Sequence, residues 1–374
     1  MIYFDNAATA MPHRLCNVDS AQHNPMTDTG HTFNASSPHK LGIIAERTLR
    51  EARSQLASIL GCDANEIVFT SGGTESNNLA ILGYTLASVR QGVNLLTAPY
   101  EHPSIIKPMQ FAYERGWASS IEKKCLNDSI KLTGGNTLVS VSHINHETGD
   151  INDIKAISST VKKTNPKAVI HVDGAQSFCK EIINLDDVDM YSFSGHKFHG
   201  PPGIGGLWVR KGLRIISIMH GGGQEGGMRS GTENVAGIVQ MTTIATHLQK
   251  KISENRQHVS SIRAILLSLK DILPHTTFNS RGASSPYILN MSFLGIKGEV
   301  LVHALSDKGL YVSMGAACQS RKNKKTALEF MGYDKKIAES AVRFSFSPYN
   351  TMDEAKKACD IIINEVTRLR KIMA

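Results

Sequence analysis

The sequence predicts an α/β fold, a parallel sheet covered by helices, followed by a smaller α+β domain. Three observations carry this. Strand-like and helix-like runs alternate from about residue 45 to residue 250, the pattern of parallel strands joined by crossover helices. Helical periodicity dominates 235–273, long enough to bridge two domains. The rest of the chain mixes short strands and helices, and 374 residues suffice for two cores of ordinary size.

Taken in order, 43–60 has the apolar period of a helix, 66–70 reads as a strand, 76–87 as a helix, 94–98 as a strand and 103–115 as a helix. A strand is expected at 137–143, a helix at 153–163, and strands at 168–172, 190–194 and 206–209. Beyond the long helical stretch come a strand at 287–293, a helix at 298–308, a strand before Ser313, a short helix near 326–331, a strand at 341–345 and a last helix from Met352. Residues 11–40, rich in His, Pro, Asn, Asp, Ser and Thr, lack periodicity and read as an irregular surface segment.

Composition narrows the class. With 41% hydrophobic and 20% charged residues the chain is that of an ordinary soluble protein, and its net charge of +8 is spread along the chain, with local density at 321–325 and at the C-terminal helix, a modest bias towards acidic partners that reads as solvated surface rather than nucleic-acid binding. No signal peptide and no apolar run of about 18 residues is present, so a cytoplasmic protein without a membrane segment is expected. The cysteines, at 16, 62, 125, 179, 318 and 359, show no zinc spacing and no disulfide framework. Any cysteine with a role should act alone.

Two strand ends carry the chemistry. Asp173 ends the apolar run in His171-Val-Asp-Gly-Ala-Gln176, and 24 residues later Lys197 follows the strand in Tyr191-Ser-Phe-Ser-Gly-His-Lys197. A pyridoxal phosphate site needs this pair: the amine forms a Schiff base with the cofactor, and the carboxylate keeps the pyridine nitrogen protonated so that the ring accepts electrons. Upstream, Ile67-Val-Phe-Thr-Ser-Gly-Gly-Thr74 runs from a strand through a glycine pair into a helix, where backbone N–H groups and the helix dipole favour an anion. Alone, this turn is as consistent with an ordinary β–α connection as with a phosphate cup. Beside Asp173 and Lys197, the phosphate cup is the stronger reading.

At this point the chain resembles a known family. Asp5-Asn-Ala-Ala-Thr9, Phe69-Thr-Ser-Gly-Gly-Thr-Glu-Ser-Asn77, Glu101-His102, the two motifs above, Gly200-Pro-Pro-Gly-Ile-Gly205 and His220-Gly-Gly-Gly-Gln-Glu-Gly-Gly-Met-Arg-Ser-Gly-Thr232 resemble the class V aminotransferases of the NifS/IscS cysteine desulfurase type. The resemblance implies fold type I of the pyridoxal phosphate enzymes, with a mainly parallel seven-stranded sheet. It places a large cofactor-binding domain at 15–250 and a small domain at 1–14 and 251–374.

By the same resemblance Lys197 holds the cofactor, Asp173 faces the pyridine nitrogen, Gln176 and His146 face the phenolic oxygen, and His102 stacks on the ring and assists proton movement. Gly73, Thr74, Ser194 and His196 hold the phosphate, with Thr232 reaching in from the second subunit of a homodimer. Arg343, with its bidentate fork, clamps the substrate carboxylate, and Asn145 and Asn34 complete the substrate site.

Cys318, in Gly315-Ala-Ala-Cys-Gln-Ser320, precedes the cationic run Arg321-Lys-Asn-Lys-Lys325, a setting that favours the thiolate on a loop. The family places its sulfur-accepting cysteine here. The reaction implied converts L-cysteine to L-alanine with a persulfide on Cys318, passed to an acceptor protein, a scaffold or thiotransferase, for iron–sulfur clusters or tRNA thiolation. A selenocysteine lyase, a small amino-acid transaminase and a non-catalytic scaffold are the alternatives.

Three places depart from the family. His146 stands where a second asparagine is usual in Asn145-His-Glu147, and its spacing from His143 would also allow a metal reading that lacks a third ligand. Residues 13–33 replace a helix with irregular polar sequence, and the basic run after Cys318 replaces a Glu-Pro-Ser helix start.

Overall fold

The computed structural model describes residues 1–13, 33–125, 135–314 and 325–373. In chain order the elements are β1 (Ile2–Tyr3), α1 (Lys40–Leu60), β2 (Ile67–Thr70), α2 (Gly73–Ser88), β3 (Val93–Thr97), α3 (Pro103–Glu114), β4 (Ser120–Lys123), β5 (Asn136–Ser142), α4 (Ile154–Thr164), β6 (Val169–Asp173), β7 (Met190–Ser194) and β8 (Gly205–Val209). They continue with α5 (Val235–Gln249), α6 (Ile252–Leu267), α7 (Leu269–Ile272), β9 (Thr276–Phe278), β10 (Ile288–Phe293), α8 (Gly298–Asp307), β11 (Leu310–Tyr311), α9 (Ala327–Phe330), α10 (Lys335–Glu339), β12 (Ala341–Ser345) and α11 (Met352–Met373). The chain forms two compact units: Met11–His143 with Asp153–Lys250, and Met1–Ala10 with Ile144–Asn152 and Lys251–Ala374.

The first of these is built on a seven-stranded sheet of order β2-β8-β7-β6-β5-β3-β4. Strands β4, β3, β5, β6 and β7 are mutually parallel, and β8 is antiparallel to both β7 and β2. The reversal follows from the link between β7 and β8, which holds only a single 3-10 turn, Gly195–Lys197; a parallel neighbour needs a longer, usually helical crossover. Helices cover both faces, so the central strands are buried along their whole length.

Side-chain alternation then assigns each residue to a layer. Val139, Val141, Ile170, Val172, Tyr191 and Phe193 join Leu49 and Leu56 of α1 and Met241 and Ile244 of α5 in one core. On the opposite face Leu138, Val169 and Met190 pack with Leu79 and Ile81 of α2 and Ile105 and Met109 of α3. Two residues further along each of those strands the same face turns polar. Buried His171 bridges Ser140 (2.7 Å) and Ser192 (2.8 Å), and one layer beyond lie Ser142, Asp173 and Ser194 at the strands' C-terminal ends. That is where open α/β sheets hold ligands.

Helix ends follow local chemistry. His39 caps α1 by accepting from Gly42 N–H at 3.2 Å, and Gly61, at φ 68°, ends it in the left-handed conformation that glycine adopts without strain. The helical stretch over 235–273 is divided into three helices, α5, α6 and α7. Lys251 leaves helical geometry at φ −121°, ψ 13°, at the boundary between the two units. The polar run Gln249-Lys250-Lys251 provides no apolar stripe to carry one helix through.

The second unit contains an antiparallel sheet of order β12-β10-β9 and the parallel pair β1-β11. Its core gathers Ile262 and Leu266 of α6, Leu301 and Leu305 of α8, and Ala358, Ile362 and Val366 of α11 around Leu289, Met291 and Phe344. Strands β4 and β9 had no counterpart in the sequence reading. Both are short sheet edges, and β4 is the polar Ser-Ile-Glu-Lys, a common way to keep an edge from pairing further. Among the described residues no helix is long and apolar enough to cross a membrane.

Candidate active site

Asp173 closes β6, and Lys197 closes the 3-10 turn after β7, the strand paired with β6 in parallel. The Asp173 carboxylate is buried. Its Oδ1 accepts from the Ala175 N–H at 2.9 Å, and its Oδ2 accepts from Asn77 Nδ2 at 2.7 Å. The Asn77 amide also reaches Ser104 Oγ at 2.8 Å, and Ser104 Oγ meets His102 Nδ1 at 2.7 Å. One chain of hydrogen bonds therefore links the strand-end carboxylate, α2, α3 and His102.

His102 is the residue that starts α3. Its Nδ1 accepts from the Ser104 N–H at 3.1 Å, with Pro103 in the first turn where no N–H is required. Burial lowers its pKa, the Asp173 charge works against that, and Lys197 adds to the lowering. The ring is thus held neutral with Nδ1 as acceptor, which leaves the proton on Nε2. Burial also holds His196 at about 4, with Lys197 and Lys180 adding repulsion.

The glycine pair of the β2–α2 turn lies against the other strand ends. A side chain at Gly72, whose φ is 147°, would meet Ser194 Oγ at 3.4 Å; one at Gly73 would meet Ser194 Cβ at 3.5 Å and Ala175 Cβ at 3.7 Å. Helix α2 begins there without a side-chain cap, with Thr74 exposed in its first turn. Such a turn can cradle a phosphate group, since the first backbone N–H groups of a helix have no partner within it. A primary amine, a buried carboxylate, a neutral imidazole and a hydroxyl-lined helix start together match the functional groups of pyridoxal phosphate. Gln176 is buried two residues past Gly174, and Ser194 ends β7.

The glycine-rich segment 220–232 is tied to both sides of that turn. Buried Glu225 takes two N–H groups of Arg53, at 2.6 and 2.9 Å, and the Phe69 N–H at 2.8 Å. Arg229 Nε donates to Glu75 at 2.9 Å, and Glu75 also accepts from Ser71 N–H at 2.8 Å. Burial acts to raise the Glu75 pKa, but the bonds from Arg229 and Ser71 outweigh it and hold the group ionised. Thr232, beyond these anchors, is exposed.

Each remaining residue of the sequence reading has its own setting. Arg343, in β12, is buried; it donates to the His146 carbonyl at 2.7 Å and to Asp5 Oδ1 at 3.0 Å. Asn145 Oδ1 accepts from the N–H groups of Glu147 (2.9 Å) and Thr148 (3.0 Å). Arg343 Nε and Asn145 Nδ2 are buried donors with no acceptor among the described residues. His146 is half-buried beside Glu147, 3.8 Å from its carboxylate. Asn34 is exposed and accepts from Ser36 N–H at 2.9 Å. Cys318 lies outside the described residues, as does most of the irregular 11–40 segment. Among the described residues no group of three His, Cys, Asp or Glu side chains is placed to hold a metal ion.

Residue-by-residue reading assigned no role to Asn77, Ser104, Glu101 or Lys180. Glu101 is fully buried; burial pushes its pKa up to about 7, Ser142 counteracts through its hydroxyl and N–H, and the Asp173 charge adds to the rise. The signal was present in part, because Ser76-Asn77 places polar residues on the inward side of a helix start. What it touches depends on the fold.

Comparison with known proteins points the same way. Residues 2–357 match the family Aminotransferase class-V. The chain is 36% identical over 385 residues to a cysteine desulfurase IscS of Buchnera aphidicola subsp. Acyrthosiphon pisum, covering 99% of this chain and 94% of that protein. It is 38% identical over 369 residues to a NifS/IcsS protein homolog of Lactobacillus delbrueckii subsp. bulgaricus, covering 95% and 94%. Among solved structures, a NifS-like protein superposes with a TM-score of 0.88 at 31% identity, covering 98% of this chain and 99% of the other. Another, described as SspA in complex with cysteine, gives 0.76 at 26% identity over 94% and 100%.

Proposed function

The chain belongs to the Aminotransferase class-V family, and we propose that it works as a pyridoxal phosphate-dependent cysteine desulfurase that leaves alanine and a persulfide on Cys318. The observation that carries this is the placement of Lys197 and Asp173 at the ends of adjacent parallel strands, with Asp173 bonded through Asn77 and Ser104 to His102.

Bound pyridoxal phosphate supplies a carbonyl for the substrate amine and a ring that accepts the electron pair left by the α-proton. Lys197 would hold that carbonyl carbon, and its amine, when free, is the group to take the α-proton. Asp173, oriented by Asn77, keeps the proton on the pyridine nitrogen. Neutral His102, carrying its proton on Nε2, can pass a proton to or from the substrate thiol. Arg343 and Asn145, each with an unused buried donor, suit the substrate carboxylate.

The Cys318 thiolate attacks the substrate sulfur, so that one S–S bond forms as the Cβ–S bond breaks and the electron pair returns to the carbon skeleton. In this reading Thr232 of a second copy completes the phosphate site of a homodimer, and an acceptor protein takes the sulfur. A cytoplasmic setting suits the chemistry, since thiols there are kept reduced and the described cysteines are free.

The test is mass spectrometry of the Cys318 peptide after brief exposure of the reduced protein to cysteine, which should show one added sulfur. Sulfide release under reductant should vanish in Cys318→Ala. Unchanged turnover in that variant would exclude Cys318 as the acceptor and point to a lyase. Lys197→Ala should lose the visible absorbance of the bound cofactor.

A further inference from the structure

We propose that Lys180 is a positioning residue of the cofactor site: its ammonium fixes the Gln176 amide with Oε1 turned towards it, so that Nε2–H is the group presented to the phenolic oxygen of pyridoxal phosphate. The proposal rests on the reading of Gln176 as a cofactor contact. Lys180 is 6% exposed, and its Nζ stands 3.4 Å from Gln176 Oε1. An amide can face a neighbour with either end, but an ammonium has donors only and therefore selects the oxygen. With that end occupied, the amide has only its N–H pair to offer elsewhere, and a phenolic oxygen needs a donor.

The turn that brings the two side chains together is held under strain. Ser177 and Phe178 N–H groups return to the Gly174 carbonyl, and the Lys180 N–H returns to the Ser177 carbonyl. Between them Cys179 adopts φ 60°, a left-handed conformation that costs a residue with a side chain about 1 kcal/mol or more. Cys179 is 3% exposed, and its neighbour Phe178 stacks on Phe193 at 4.6 Å and meets Phe198 edge-on at 5.1 Å. Packing therefore enforces a conformation that local preference resists, as is common where a side chain must be aimed.

A contact of 3.4 Å from a buried ammonium to a neutral amide is by itself a poor stabilising device, and lysine is rarely buried unless its charge is used. Its charge does reach the site. Lys180 contributes, after burial and Lys197, to the depression of the neighbouring His196 pKa, and it acts on His199 as well.

The experiment is a double-mutant cycle read on the Kd of pyridoxal phosphate for apoprotein and on the position of the cofactor's absorbance band. It compares Lys180→Met, Gln176→Ala and the double variant, with Lys180→Arg as the conservative rescue. Lys180→Met should weaken cofactor binding about tenfold and shift the band, as expected for one misdirected hydrogen bond to a charged oxygen. Lys180→Arg should restore most of the loss, and in the Gln176→Ala background Lys180→Met should add less than about twofold. Full additivity, or no loss in Lys180→Met, would overturn the proposal while leaving Gln176 in place. A Gln176→Ala variant with unchanged Kd and band would instead overturn the cofactor contact itself, and the proposal with it. Lys180→Gln takes the place of the methionine variant if thermal unfolding shows that the latter does not fold.

Discussion

Asn77 Nδ2 lies 2.7 Å from Asp173 Oδ2, and the same amide reaches Ser104 Oγ at 2.8 Å, so a helix start holds the strand-end carboxylate. The Asp173 oxygens are thereby directed by Ala175 on one side and Asn77 on the other.

Removing that donor should be felt by the cofactor. Asn77→Ala is expected to raise the Kd for pyridoxal phosphate by roughly tenfold to a hundredfold, the scale of one hydrogen bond to a charged group. Absorbance titration of apoprotein reads this directly, and an unchanged Kd would show that Asn77 serves the fold alone.

Gly174 and Tyr191 form a space-filling pair. A Cβ at Gly174 would fall 1.9 Å from Tyr191 Cζ and 2.0 Å from its hydroxyl, which bonds Ser177 at 2.8 Å. Gly174→Ala should therefore destabilise the protein by about 1–3 kcal/mol, the usual cost of overpacking a core. Denaturant unfolding measures it, and a smaller residue at 191 should recover part of the loss.

Glu225 is buried to 2% side-chain exposure and satisfies Arg53 and the Phe69 N–H. Glu225→Ala strands the guanidinium and should cost roughly 3–5 kcal/mol, as breaking a buried pair does. Thermal unfolding and faster proteolysis within 220–232 are the readouts. A change under 1 kcal/mol would mean that water replaces the pair at little cost.

Stability should depend on pH in two opposing ways. Glu101, raised from 4.5 to about 7, binds its proton more tightly when folded, so its contribution is present below 4.5 and is lost as pH rises to about 7. Fully buried His171, lowered to about 4, acts oppositely: its contribution is present above 6.5 and is lost as pH falls to about 4. Glu101→Gln removes the first effect, so relative to the parent it should gain on the order of 2–3 kcal/mol between pH 5 and pH 8. Parallel denaturant titrations at the two pH values test this, and an equal difference at both would mean that Glu101 is not buried in its charged form.

Periodicity located the principal strands and helices, because an apolar residue must turn inward wherever it stands, and β7 and β12 have the boundaries expected from sequence alone. Motif order was equally legible: Lys197, Asp173, Thr74 and His102 stand out by residue type and neighbours. The reversal of β8, the break at Lys251 and the short edges β4 and β9 escaped that reading, since they depend on connection length and on what lies beside each strand.

The sequence by itself determined the family and the cofactor and singled out the pair Lys197 and Asp173, because these rest on residues whose functional groups have few other uses together. Only the tertiary structure decided which groups hold that pair in place. Asn77 meets Asp173 across 96 positions of sequence, Arg53 meets Glu225 across 172, and Cys179 is strained by packing that no local rule records. Hydrogen bonds and buried charges are set by distances of a few ångströms, and such distances exist only once the strands are paired and the helices laid against them.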